Sequence, residues 1–213
     1  IRNFITYLKG DFDYVKNLYD AKGKYHECFM YPSNLYKEHS LGTKDYNTIN
    51  IQVGNSADPS NNQIEILEKI KKYKNKNIKI FAPLSYGGEQ SYVDTVISKG
   101  EEIFGDRFIP ILKFMKSEEY LNFLENIDIA IFAHKRQQAM GNIITLLGLG
   151  KKIYIRTSIT SWQFFKDIDV KLFDYNQLNL ISMDKIIKKA NSDKIKSYFS
   201  KENYLKQLQS LLN

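Results

Sequence analysis

From Ile49 onward, short β-branched runs alternate with longer stretches in which apolar residues recur every three or four positions. Ile49–Val53 reads as a strand, and Gly54-Asn55-Ser56-Ala57-Asp58-Pro59-Ser60-Asn61-Asn62 reads as a turn ending in helix-capping residue types. Ile64, Leu67 and Ile70 then keep helical spacing through about Tyr73. The unit repeats. Strands are predicted over residues 78–84, 108–114, 127–133, 152–156 and about 170–173. Helices are predicted over 89–104, 117–126, about 138–149 and 161–166, with two more near 183–190 and 201–212. Helical spacers of this length between strands imply right-handed crossovers, and so a Rossmann-like α/β fold: a parallel sheet with helices on both faces.

Residues 1–48 follow another pattern, aromatic and rich in turns, with Tyr7, Phe12, Tyr14, Tyr19, Tyr25, Phe29, Tyr31 and Tyr36. A short helix over about 13–21 and a strand around 28–31 are predicted, and Pro32-Ser33-Asn34 and Gly42-Thr43-Lys44 mark loops. This stretch reads as the tail of a preceding domain plus a linker, and residues 49–213 as one ligand-binding domain. The start, Ile1-Arg2-Asn3, has no initiator methionine and lies inside an extended segment, so the chain reads as the latter part of a longer protein.

Composition narrows the classes. With 213 residues, 43% hydrophobic and 26% charged, the chain can bury a sizeable core. The formal net charge of +7 suits an anionic ligand, an anionic membrane face or nucleic acid without choosing among them. Cys28 is the only cysteine, so no intrachain disulfide forms and a cytosolic setting is expected. His26, His39 and His134 are scattered and no aspartate pair has ligand-like spacing, so neither a metal nor a cofactor is expected. No Gly-x-Ser-x-Gly elbow occurs, which leaves serine-hydrolase chemistry unsupported.

Two loops carry candidate chemistry. Between the strand ending at Ala133 and the helix expected from Gln138 lie Arg136, Gln137 and Gln138, with Gly141 just beyond. A guanidinium and two amides at a helix N-terminus outside the carboxyl edge of a parallel sheet make an anion clamp suited to a diphosphate. The competing role for Arg136 is structural pairing, for example with Asp128. In the loop after the first strand, Gly54 permits close backbone approach, and Asn55, Ser56 and Asp58 face a ligand unless they only cap and turn. The loop is neither a dinucleotide fingerprint nor a P-loop. His134 could serve in acid–base work, although a lone histidine is more often an ordinary loop residue.

The ordered series Gly54-Asn55-Ser56-x-Asp58-x-Ser60-Asn61, Pro83-Leu84-Ser85-Tyr86, Leu112-x-Phe114-Met115, Tyr120-Leu121, Asp128, Arg136-Gln137-Gln138-x-x-Gly141 and Phe199-Ser200-x-x-Asn203-Tyr204-Leu205 resembles glycosyltransferase family 56. The resemblance implies the carboxyl-terminal half of a GT-B fold and an inverting transfer without a metal. It further implies a nucleotide-sugar donor carrying a fucose-like or 4-acetamido-4,6-dideoxyhexose sugar. A polyprenyl-diphosphate-linked acceptor at the cytoplasmic face of a bacterial plasma membrane would receive it, with peripheral contact to anionic lipid and no nucleic acid partner. The general base would belong to an amino-terminal domain of which only the last part is represented here, so no catalytic residue is assigned. Many GT-B enzymes place a glutamate on the helix after the clamp loop to hold the ribose hydroxyls. Residues 138–149 contain no carboxylate, which fits a thymidine-linked donor, since deoxyribose lacks the 2′-hydroxyl. The alternatives are another GT-B enzyme, such as a nucleotide-sugar epimerase, and a basic non-enzymatic module that docks on membrane or nucleic acid.

Overall fold

The computed structural model describes residues 1–38 and 47–212; the loop expected at Gly42-Thr43-Lys44 and His39 lie outside them. The element order is β1 (Asn3–Ile5), α1 (Lys9–Tyr19), β2 (Lys24–His26), β3 (Ile49–Val53), α2 (Gln63–Ile70), β4 (Ile78–Pro83), α3 (Gln90–Phe104), β5 (Phe108–Ile111), α4 (Ser117–Glu125), β6 (Ile129–Phe132), α5 (Met140–Gly148), β7 (Lys152–Ile155), α6 (Thr160–Asp167), β8 (Phe173–Asp174), α7 (Lys185–Tyr198) and α8 (Lys201–Ser210). Strands β3 to β8 form one parallel sheet in the order β5-β4-β3-β6-β7-β8. The chain winds outward from β3 through β4 to β5, then crosses back to β6 on the other side of β3.

Successive strand residues point to opposite faces, and here both faces are covered. Ala130, Phe132, Ile153 and Ile155 face Ile143, Ile144 and Leu147 of α5 and Phe165 of α6 in one buried cluster. Ile129, Ile131 and Tyr154 face the other way, joining Ile66, Leu67 and Ile70 of α2 and Val93 and Val96 of α3. Gly100 lets α3 approach β5, because a Cβ there would lie 2.5 Å from the Phe108 ring.

Residues 1–38 pack into the first of these clusters. Tyr7, Leu8 and Phe29 are buried with α5 and α6, and the Phe29 ring meets Tyr7, Tyr198, Phe199 and Tyr204 at centroid distances of 6.4, 5.9, 5.2 and 5.2 Å. Gln207 of α8 accepts the Phe29 N–H at 3.1 Å. Strands β1 and β2, joined by α1, form a separate parallel pair.

Several boundaries differ from the sequence pattern for physical reasons. The early helix begins at Lys9 rather than near residue 13, and the early strand is Lys24–His26, with Cys28 and Phe29 turned inward just after it. The strand β5 stops at Ile111, because Leu112 and Phe114 run on into solvent; its Pro110 is tolerated on an edge strand, where one N–H needs no partner. The last strand is Phe173–Asp174, not 170–173. Helix α7 continues past Ala190 to Tyr198, because the side chain of Asn191 is buried and bonds both Lys171 N and Lys171 O at 2.8 Å instead of competing with its own helix.

Phe29→Ala should cost about 3–5 kcal/mol, the range for emptying a fully buried aromatic site. Urea unfolding of both chains measures it. A loss below about 1 kcal/mol would show that the amino-terminal segment contributes little to the common core.

Candidate functional site

The reversal of winding between β3 and β6 brings two loops side by side at the carboxyl edge of the sheet, the crevice where α/β sheets hold ligands. One is 54–62, leaving β3. The other is 134–139, leaving β6. All eight positions singled out from the sequence lie in these loops or in the first turn of α5: Gly54, Asn55, Ser56, Asp58, Arg136, Gln137, Gln138 and Gly141.

The loops differ in what they offer. Loop 54–62 is knitted to itself. The side chain of Asn61, fully buried, accepts from Asn55 N (2.8 Å) and donates to Ser56 Oγ (3.1 Å) and Asp58 O (3.0 Å). Gln52 Nε2 donates to Gly54 O at 2.8 Å, Gln63 Nε2 donates to Ser56 O, and Ala57 N donates to Tyr86 O at 2.7 Å. Gly54 has φ +68°, and a Cβ there would meet Asn61 Oδ1 at 2.8 Å, so the position requires glycine twice over. Asp58 caps the following turn by accepting from Ser60 N at 2.8 Å. Bonds from the Ser60 hydroxyl and amide hold its carboxyl below the usual range, helped by the charge of Arg136. Asn55 is 9% exposed and its Oδ1 has no partner among the described residues, whereas its Nδ2 reaches Tyr86 Oη at 3.4 Å.

Loop 134–139 is the opposite case. No backbone N–H from His134 to Asn142 has an acceptor among the described residues. Helix α5 starts at Met140, not near Gln138, because Ala139 takes a left-handed conformation at φ +60° that interrupts the turn. That conformation is uncommon for a residue with a Cβ and is concentrated at functional sites. Gln138 Oε1 accepts from Ser60 Oγ at 2.8 Å, tying the loops together; Gln137 is half-buried and Gly141 exposed. Arg136 is exposed and forms no ion pair among the described residues. Pairing with Asp128 is excluded by position, since Asp128 precedes β6 at the far end of the strand and accepts from Asn50 N at 2.8 Å.

Two residues of the site carried weaker signals in the sequence. Asn61 reads there as one more turn former, yet it is the node of the first loop. His134 is 1% exposed, stacks on Phe132 at 5.9 Å and bonds Asn61 Oδ1 through Nε2 at 3.0 Å. Burial, with the nearby charge of Arg136, pushes its pKa down to about 4, so at neutral pH it is an uncharged hydrogen-bonding group.

A cavity of about 390 Å³ lies at the opposite, amino edge of the sheet, lined by Ile49, Asp128, Leu149 and Lys152 among others. It holds none of these residues, and helix C-termini such as that of α5 at Leu149 favour cations over phosphates. The carboxyl edge is the candidate site. Among the described residues, no group of three His, Cys, Asp or Glu side chains could hold a metal ion, and no helix is long and apolar enough to cross a membrane.

The model of the family described as 4-alpha-L-fucosyltransferase, glycosyl transferase group 56, matches residues 3–213. The chain belongs to glycosyltransferase group 56. The fold of this group 56 member is that of GT-B glycosyltransferases. WaaG, a glycosyltransferase involved in lipopolysaccharide biosynthesis, superposes with TM-score 0.62 at 11% identity, over 97% of this chain and 60% of WaaG. The E. coli trehalose-6-phosphate protein solved with UDP-2-fluoro glucose gives 0.58 at 11% identity, over 78% of this chain and 43% of that one. The C-terminal domain of the glycosyl transferase LpcC from Francisella tularensis gives 0.50 at 12% identity, over 78% and 86%. The group 56 chain thus spans less than two thirds of WaaG and less than half of the E. coli protein. Membership favours glycosyl transfer over the epimerase and the non-enzymatic docking module.

Neutral His134 makes stability depend on pH. Its folded pKa, near 4, lies below the unfolded value of about 6.5, so between those values the unfolded chain binds the extra proton. Stability should therefore be full above pH 6.5 and fall on acidification toward pH 4, by on the order of 3 kcal/mol. His134→Gln should flatten that slope, measured by urea unfolding at pH 7 and pH 4.5. Equal slopes in both proteins would show that His134 does not titrate as described.

Proposed function

We propose that the carboxyl-edge crevice binds the diphosphate of a nucleotide sugar, and that the chain is the donor-binding part of an inverting enzyme. The sugar transferred is a fucose-like or 4-acetamido-4,6-dideoxyhexose unit, and the acceptor a saccharide on a polyprenyl diphosphate at the cytoplasmic face of a bacterial plasma membrane. The observation that carries the diphosphate reading is the run of N–H groups from His134 to Asn142 that have no acceptor among the described residues, beside Arg136, which has no ion pair among them, at the N-terminus of α5. Amides at a helix N-terminus and a free guanidinium together make a site for doubly charged phosphate. An acceptor hydroxyl attacks the anomeric carbon, its proton passing to a general base outside these residues, the bond to the β-phosphate oxygen breaks, and the charge growing on the departing diphosphate falls on Arg136, Gln137 and the amides of α5. The framework loop, with Gly54, Ser56 and Asp58, forms the opposite wall, and the unpartnered Asn55 Oδ1 there is available to a donor hydroxyl. The binding of UDP-2-fluoro glucose by the E. coli trehalose-6-phosphate protein of similar fold supports a nucleotide-sugar ligand.

A charge-assisted hydrogen bond contributes about 1.5–3 kcal/mol, and about 1.4 kcal/mol is a tenfold change in affinity. Arg136→Ala should therefore weaken dTDP binding about ten- to a hundredfold in calorimetric titration. Because Arg136 is exposed and has no ion pair among the described residues, unfolding stability should move by less than about 0.5 kcal/mol. Unchanged affinity would remove Arg136 from the site.

The base carrier is read from α5. The helix has no aspartate or glutamate to receive ribose hydroxyls, which favours a deoxyribonucleotide. At equal concentration dTDP should raise the melting temperature more than UDP or GDP, since ligand stabilisation follows affinity. Equal or greater stabilisation by UDP would defeat the thymidine assignment.

A further inference from the structure

Two side chains from different elements converge on one backbone atom where the clamp loop begins. Arg156, the residue after β7, donates Nε–H to the Ala133 carbonyl at 2.9 Å, and Asn62 Nδ2 donates to the same oxygen at 2.9 Å. The ladder between β6 and β7 ends at the pair Phe132 and Ile155, so these side chains take over where strand pairing stops. The Ala133 carbonyl shares one planar trans peptide with the N–H of His134. In a trans peptide the two groups point in opposite directions, so anchoring the oxygen fixes the direction of the N–H. That N–H is the first in the run that has no acceptor among the described residues.

Arg156 is itself immobilised. Its Nη2 donates to Glu65 Oε1 and Oε2 at 2.7 and 2.6 Å, and its guanidinium lies 4.7 Å from the centre of the Tyr175 ring. Glu65 is on α2, the helix that follows the framework loop. One planar group thus joins α2, the ring of Tyr175 and the end of β6. A lysine would keep the charge but could not reproduce the fork.

We propose that Arg156 is a positioning residue for the anion site: with Asn62 it orients the Ala133–His134 peptide and sets the spacing of the two loops, without itself touching the ligand. This rests on the diphosphate reading above. It assigns to a residue outside both loops a share of the affinity measured inside them.

The test compares the unaltered chain with Arg156→Lys, Asn62→Gly and Glu65→Gln by calorimetric titration with dTDP, by thermal unfolding, and by the backbone amide resonances of the unliganded protein. Asn62 has φ +54°, which glycine adopts freely, so Asn62→Gly removes the amide without straining the turn. Arg156→Lys and Asn62→Gly should each weaken dTDP binding about five- to tenfold, the scale of one hydrogen bond. Both should move the His134 amide resonance, while the melting temperature stays within about 3 °C. Glu65→Gln keeps the bond to Ala133 and should leave affinity within about twofold. Unchanged affinity with an unmoved His134 amide in both Arg156→Lys and Asn62→Gly overturns the proposal. So does a loss in Glu65→Gln as large as that in Arg156→Lys, because the ion pair and not the carbonyl anchor would then be the operative contact. If Arg156→Lys does not fold, Asn62→Gly decides by the same two readouts. If the unaltered chain binds none of dTDP, UDP and GDP, the diphosphate reading fails on its own, and the His134 amide still decides whether Arg156 and Asn62 set that peptide.

Discussion

The site is organised by the side-chain amide of Asn61. It sits with no exposure at the point where the chain leaves the framework loop, and its two heteroatoms make four hydrogen bonds, to Asn55 N, His134 Nε2, Ser56 Oγ and Asp58 O. A backbone N–H can only donate, so the atom that meets Asn55 N must be the amide oxygen. His134 Nε2 therefore carries its proton toward that oxygen, and in the neutral ring Nδ1 is left as an acceptor. The orientation of one amide thus fixes a tautomer on the neighbouring loop. A buried amide with all four bonds made is stabilising, whereas the same amide with one partner removed leaves a polar atom stranded at a cost of about 1–3 kcal/mol. The loop sequence is restricted accordingly, down to a Gly54 whose Cβ would press on the Asn61 oxygen.

From this node follows a division between the loops. The framework loop uses most of its donors on itself and so holds a shape before any ligand arrives. The clamp loop withholds its amides, and the left-handed Ala139 delays the first helical turn until Met140. Groups prealigned in this way need not reorganise when charge develops on a ligand, the condition under which hydrogen bonds aid transfer most. Ser60 to Gln138, Asn62 to Ala133 and Asn61 to His134 are the three side-chain bridges that keep the presenting loop in register with the rigid one.

The sequence made the sheet legible because β-branched runs such as Ile49–Val53 have no other economical use when helical spacing resumes directly after each. The pattern also put both loops at the carboxyl edge, but that they lie side by side follows from the strand order, in which β3 and β6 are neighbours, and no local pattern gives that order. What the pattern hid depends on distant contacts. Phe29 looks like part of an aromatic tail until Phe199 and Tyr204 are seen to enclose it. Asn191-Ser192-Asp193 looks like a helix stop, but Asn191 and Ser192 spend their polar atoms on Lys171 and on Gly148 O. Ala139 gives no warning of positive φ, because no local preference of alanine leads there. Arg156 is silent in sequence, since its partner carbonyl is chosen by the register of β6 and β7.

Only 11–12% of residues are shared with the solved glycosyltransferase-like structures of the same fold, so the likeness resides in backbone geometry. The diphosphate contacts proposed above would be chiefly main-chain amides, which any sequence able to turn the loop will provide. Selectivity must then come from the side chains that fold similarity does not preserve. Around this crevice they are few: Arg136 for charge, Asn55 with an oxygen that has no partner among the described residues, neutral His134 bonded through one ring nitrogen, and a helix α5 whose apolar face is spent on the core and which has no aspartate or glutamate. On the proposed reading, the donor's phosphates would be held by the backbone and its sugar read by neutral hydrogen bonds. Acidification to pH 4 would add a second positive charge beside Arg136, and a dianionic ligand in the crevice would favour that protonation, so ligand affinity and His134 ionisation are linked through the same few ångströms.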